Sequence, residues 1–257
     1  MMTNLRFICS LFSKLKPLVL SFIVLSLPIC SFAGYLSKDV VVGATYLKDY
    51  LSSSPSNREA DLQVSDYFFK VLEDPDGHFS SSVGSRALAC LYFAWAEDDE
   101  SRVLLEKYAE NDVISGEMSF VGGAATYALK VRQHAGSTDQ ELRFLYAYDL
   151  GHSKNDYEKM FLANRLYNDF GKTALPVIFE SSRSVSLDFV KQDLLFYLSM
   201  TSDIELANRV LTLDWGNGVE IYDWAFIMSA ITPDRPSDPL MQFPFVGINK
   251  LKSLIEK

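Results

Sequence analysis

Tyr92 to Glu110 reads YFAWAEDDESRVLLEKYAE, and the four acids at its centre, Glu97, Asp98, Asp99 and Glu100, decide how the chain is to be read. On their N-terminal side, RALACLYFAWA (86–96) carries almost no charge, the composition of a helix buried on most of its surface. On their C-terminal side Val103, Leu104 and Tyr108 recur at helical spacing among charged residues. The acids therefore mark a helix-turn-helix junction. Asp98 is the expected N-cap, with Asp99 and Glu100 in the first turn, where unpaired backbone N–H groups and the positive helix end favour negative charge.

The same signal recurs. Asp-x-Glu stands at Asp98–Glu100, Asp139–Glu141, Asp156–Glu158 and Asp203–Glu205, each time just after a polar break. Thr138-x-x-Glu141 and Ser202-x-x-Glu205 have the form of capping boxes, and Asn155-x-x-Glu158 imitates one. Tyr92 and Tyr197 precede Asp98 and Asp203 by the same interval, so YFAWAEDDE and YLSMTSDIE read as one junction used twice. The intervals between the four units are unequal, which fits an irregular helical-repeat array better than a strict one.

Outward from this core the chain divides into further helical pieces. Polar breaks at SSSPSN (52–57), EDPDGH (73–78), HAGSTD (134–139) and WGNGVE (215–220) separate them. The expected fold is all-α: antiparallel helical hairpins, roughly ten helices, arranged as a single domain over 34–257 or as an irregular superhelical array. Residues 232–247 form a proline-rich arm, TPDRPSDPLMQFPF followed by Val246 and Gly247, leading into a short helix over Ile248–Ile255.

Residues 1–33 read differently. Arg6, Lys14 and Lys16 precede PLVLSFIVLSLPIC, and Ser31 and Ala33 supply small residues before a cut at Gly34. That order describes a cleavable secretory signal peptide, so the product is expected to be exported, periplasmic or extracellular. LPIC resembles the lipobox of bacterial lipoproteins, but Ile29 stands where a small residue is usual before the acylated cysteine, here Cys30. No other stretch is apolar enough to be expected to span a membrane. Removing the leader also removes Cys9 and Cys30 and leaves Cys90 as a buried, inert thiol.

The whole chain has a formal charge of −9 over its 257 residues. Without the three leader cations, 21 basic residues face 33 acidic ones, a charge of −12. Such a chain lacks the basic footprint of a nucleic-acid binder and suits a basic protein partner.

Catalytic signatures are weak. Asp74, Asp76 and His78 in DPDGH lack the longer alternation and closing glutamate of a calcium loop. Among the histidines His152, in YDLGHSKND between Asp149 and Asp156, is the most suggestive, but a local hydrogen bond outranks acid–base chemistry there. Gly122 and Gly123 are read as close helix packing and not as a phosphate loop. No catalytic residue, metal site or cofactor is assigned.

The expected function is therefore an exported acidic protein-binding module, of which an envelope inhibitor, an immunity-type protein or an assembly factor would be examples. A hydrolase using paired carboxylates and a structural envelope component are the alternatives. The candidate binding residues are Leu240, Met241, Phe243 and Phe245 of the arm, with Trp215 in LDWGNG.

Overall fold

A computed structural model describes residues 38–52, 62–73, 83–95, 99–110, 117–216, 222–232 and 244–256. They belong to one compact unit, Ser37–Lys257. Every regular element among them is helical: α1 (Lys38–Ser52), α2 (Leu62–Glu73), α3 (Val83–Tyr92), α4 (Asp99–Glu110), α5 (Glu117–Gln133), α6 (Asp139–His152), α7 (Asp156–Phe170), a 3-10 turn (Gly171–Ala174), α8 (Leu175–Ser182), α9 (Asp188–Leu198), α10 (Ile204–Leu211), α11 (Tyr222–Ile231) and α12 (Pro244–Ile255). The all-α expectation holds.

Side-chain caps set several of these starts. Thr138 and Glu141 form the full reciprocal box at α6: Glu141 takes bonds from the Thr138 N–H and hydroxyl, while Thr138 Oγ1 accepts from the Glu141 N–H. Asn155 caps α7 by accepting from the backbone of Tyr157 and Glu158. At α10 the cap is Asp203 and not Ser202, because the Asp203 carboxylate accepts from Glu205 and Leu206 N–H groups at 2.8 and 3.2 Å. Asp99 and Glu100 do occupy the first turn of α4, while Glu97 and Asp98 lie outside the described residues. The last helix opens at Pro244, four residues before the expected start, since proline suits a first helical turn.

The repeated junction extends further than the Tyr92 and Tyr197 pair. Val83 and Asp188, Asp99 and Ile204, Glu117 and Tyr222, and Asp139 and Pro244 open four successive helices in each half, 105 positions apart in every case. Packing does not follow this spacing. Hairpin α3–α4 is covered by α5, the third helix of its series, whereas α9 and α10 pack on α12, the fourth. Helix α11 instead returns to α1 and α3. In a solenoid each repeat touches only its neighbours. The α1–α11 contact departs from that nearest-neighbour pattern.

The core is one continuous cluster. Helix α3 is buried along nearly its whole length, from Gly84 to Tyr92 apart from Arg86. Phe68 stacks on Tyr92 at 4.6 Å and Phe69 meets Phe93 at 4.7 Å, fixing α2 against α3. Phe120 and Tyr127 of α5 meet Phe161 of α7, and Tyr157 continues the aromatic chain to Phe189 of α9. Cys90 is fully buried, and burial pushes its thiol pKa up, so it stays protonated.

Buried polar groups join the helices where apolar packing alone would leave their register loose. Asn164 of α7 donates to Tyr197 Oη at 2.7 Å and to the Thr232 hydroxyl. Asn168 donates to the Ile231 carbonyl at 3.0 Å. Among the described residues, no helix is long and apolar enough to cross a membrane.

Candidate functional site

A cleft of about 720 Å³ opens between the end of α3, the start of α4 and the inner face of α6. Its floor is the C-terminal end of α5. The chain leaves α5 through His134, Ala135 and Gly136, and Gly136 has a φ of 84°, which a residue with a side chain adopts only at a cost. That left-handed step reverses the chain into the Thr138 cap, and the last turn of α6 meets the end of α5 again at Asp149.

Three arginines from three helices line this cleft. Arg102 of α4 pairs with Glu106 one turn on, at 2.9 Å, and is largely exposed. Arg132 of α5 donates from Nη1 to the Ser101 hydroxyl at 2.8 Å. Arg165 of α7 lies 2.7 Å from Asp169 and faces two aromatic walls, its guanidinium 6.0 Å from the Trp95 ring centroid and 5.9 Å from that of Tyr146. Burial lowers the pKa of Arg165, but Tyr127, Asp169 and Tyr146 outweigh it and hold the pKa above the ordinary guanidinium value. Asp99 is the one carboxylate among the described lining residues.

Behind this wall a buried network fixes the geometry. His134 Nε2 lies 2.8 Å from Asp149 Oδ2. Lys130 Nζ lies 3.3 Å from the other Asp149 oxygen and 2.6 Å from Glu158 Oε1. Ser153 donates to Glu158 Oε2 at 2.5 Å. The four ionisable groups come from α5, the turn after it, α6 and α7, so the network locks the cleft floor to both neighbouring helices. Breaking one partner of such a pair leaves a poorly solvated charge, which is strongly destabilising.

His152, singled out in the sequence, is not part of this network. It is exposed, donates from Nδ1 to the Tyr148 carbonyl at 2.8 Å and stacks on the Tyr148 ring at 3.9 Å. Its two flanking acids serve elsewhere. Asp149 meets His134, and Asp156 accepts from the Ser186 N–H and hydroxyl and the Leu187 N–H at 2.7, 2.7 and 3.0 Å, tying α7 to the start of α9.

The sequence contained two missed signals. Lys130 and His134 are four residues apart and share a helical face at the polar end of an otherwise apolar segment. The aromatic ladder on the outer face of α6 was also missed. Phe144 and Tyr148 are 69% and 54% exposed, and His152 extends the row one turn further.

Of the candidate binding residues, Trp215 is buried at 4% exposure, with its indole N–H donating to the Val210 carbonyl at 2.9 Å. It closes the end of α10. Leu240, Met241 and Phe243 lie outside the described residues, and Phe245 falls in the first turn of α12. The structure does not bring Trp215 to the cleft. Among the described residues no group of three or more His, Cys, Asp or Glu is placed to hold a metal; Asp74, Asp76 and His78 lie outside them.

Compared with family models, with curated proteins and with solved structures, the chain gives no match.

Proposed function

We propose that the protein is an exported binding module that receives a segment of a partner protein in the cleft between α3–α4 and α6. The observation that carries this reading is the cleft itself. It is a roomy opening with aromatic walls and guanidinium groups, in a chain whose half-buried Lys130 and buried Glu158, Asp156 and Lys159 are committed to holding helices together. Export is inferred from the basic, apolar and small-residue order of residues 1–33.

A paired-carboxylate hydrolase has less support. That chemistry needs two acids flanking one bond, and Asp99 is the one carboxylate among the described lining residues. The acidic composition of the chain suits a basic partner, and within the cleft Arg102 and Arg165 are each already paired with a carboxylate, Glu106 and Asp169.

A photo-crosslinking residue placed at Ala135, on the exposed rim, tests the reading in producing cells. A discrete crosslinked protein from position 135, absent when the same group replaces exposed Lys154, is the expected result. The same products from both positions, or none from 135, would contradict it.

A further inference from the structure

We infer that His134 Nδ1 is the acceptor in this cleft for a backbone N–H of the bound segment, an assignment that rests on the cleft being the binding site. The Asp149 carboxylate accepts from Nε2 at 2.8 Å, so the imidazole proton sits on Nε2 and Nδ1 keeps its lone pair. Lys130 holds the other Asp149 oxygen at 3.3 Å, and the Tyr146 ring meets the imidazole edge-on with centroids 5.5 Å apart. The ring is therefore clamped in one orientation. His134 is 7% exposed, yet its Nδ1 meets no donor among the described residues and is not sealed from solvent. The contact it keeps lies where His134 lines the cleft.

An entering segment brings one N–H with every residue other than proline, and a buried N–H left unpaired costs free energy. The three lining arginines cannot take it, because a guanidinium has donors and no acceptor. Of the lining side chains that accept, Asp99 and Gln133 are exposed, and the Gln133 amide and Tyr146 hydroxyl donate as well as accept. His134 is buried and its proton is already placed on the far nitrogen, so Nδ1 accepts and does not donate. It selects an N–H at one point along the segment, and disfavours a proline there.

Randomised peptides displayed against the full chain, and counter-selected on Ala135→Trp, supply the probe. In the tightest peptide lost on A135W, each backbone N–H is replaced in turn by an ester oxygen. Anisotropy then gives its affinity for wild type and for His134→Gln. Glutamine carries its amide nitrogen near the place of imidazole Nε2, so it still donates to Asp149 while the acceptor at Nδ1 is lost. One ester position is expected to weaken binding to wild type about five- to tenfold and binding to H134Q less than about twofold. Ester effects of equal size on both proteins at every position would overturn the acceptor role and leave the cleft as the site. No peptide sensitive to A135W would overturn both.

Imidazole nitrogen NMR of the wild-type chain gives a second readout that needs no variant. In the free protein Nδ1 of His134 is expected to be the unprotonated nitrogen, and its signal is expected to shift when the peptide is added. A proton on Nδ1, or an Nδ1 signal unmoved by the bound peptide, would contradict the inference.

Discussion

Gly123 of α5 stands directly against Tyr157 of α7: a β-carbon built on Gly123 would lie 2.8 Å from Tyr157 Cβ and 2.9 Å from the Glu158 backbone nitrogen. The first turn of α7 thus seats on bare α5 backbone, and the same approach brings Glu158 to Lys130 behind the cleft. At Gly151, also helical, a β-carbon would meet nothing within 4 Å.

The two glycines should respond oppositely to the same change. Gly123→Ala must displace backbone and is expected to cost about 1–3 kcal/mol. Gly151→Ala meets open space and should stabilise by about 0.5–1 kcal/mol through helix propensity. Urea denaturation of both variants checks this, and destabilisation of equal size would contradict the packing described.

Asp156 should make stability depend on acid. Burial raises its pKa, but bonds from the Ser186 hydroxyl and the Leu187 and Ser186 N–H groups, with Lys159 nearby, outweigh it and hold the carboxyl below the ordinary range. Its contribution is complete above the unfolded value of about 3.9 and is lost as pH falls through the lower folded value, because the unfolded chain then binds the proton first. Asp156→Asn is expected to cost about 1.5–3 kcal/mol at neutral pH and to flatten the stability profile below about pH 4. A variant profile parallel to wild type across that range would show that Asp156 does not couple to folding.

Asp203 and Ser202 separate two readings of one helix start. Asp203→Ala should cost about 0.5–2 kcal/mol, and Ser202→Ala should fall within about 0.5 kcal/mol of wild type. The reverse order in thermal melts would restore the capping box at Ser202.

Export has a direct chemical readout. The mature protein is expected to begin at Gly34, with intact-mass analysis showing neither the leader nor an acyl group. A chain beginning at a lipidated Cys30, or retaining residues 1–33, would contradict the cleavage assignment.

What the sequence made legible was local. Helix starts at Asp139 and Asp156 could be read because cap and capped N–H lie within three residues of each other. The shift from Ser202 to Asp203 is a contest between adjacent acceptors, which spacing does not settle. The close packing expected of Gly122 and Gly123 was legible as a residue type, though its partner Tyr157 was not. The pairing of His134 with Asp149 was beyond reach, because it depends on the reversal at Gly136 bringing the end of α5 to the last turn of α6. For the same reason His152 stands out in the sequence, with acids beside it, yet bonds to its own helix. The cleft is assembled from several helices, and no local motif marks it.

Hydrogen exchange of the full chain, with and without the partner captured by crosslinking from position 135, tests the central claim most directly. The account predicts new protection at residues 94–95, 99–102 and 129–136, the walls and floor of the cleft, with the outer face of α6 at Phe144 and Tyr148 unchanged. Protection confined to that outer face, with the cleft residues unaffected, would contradict it.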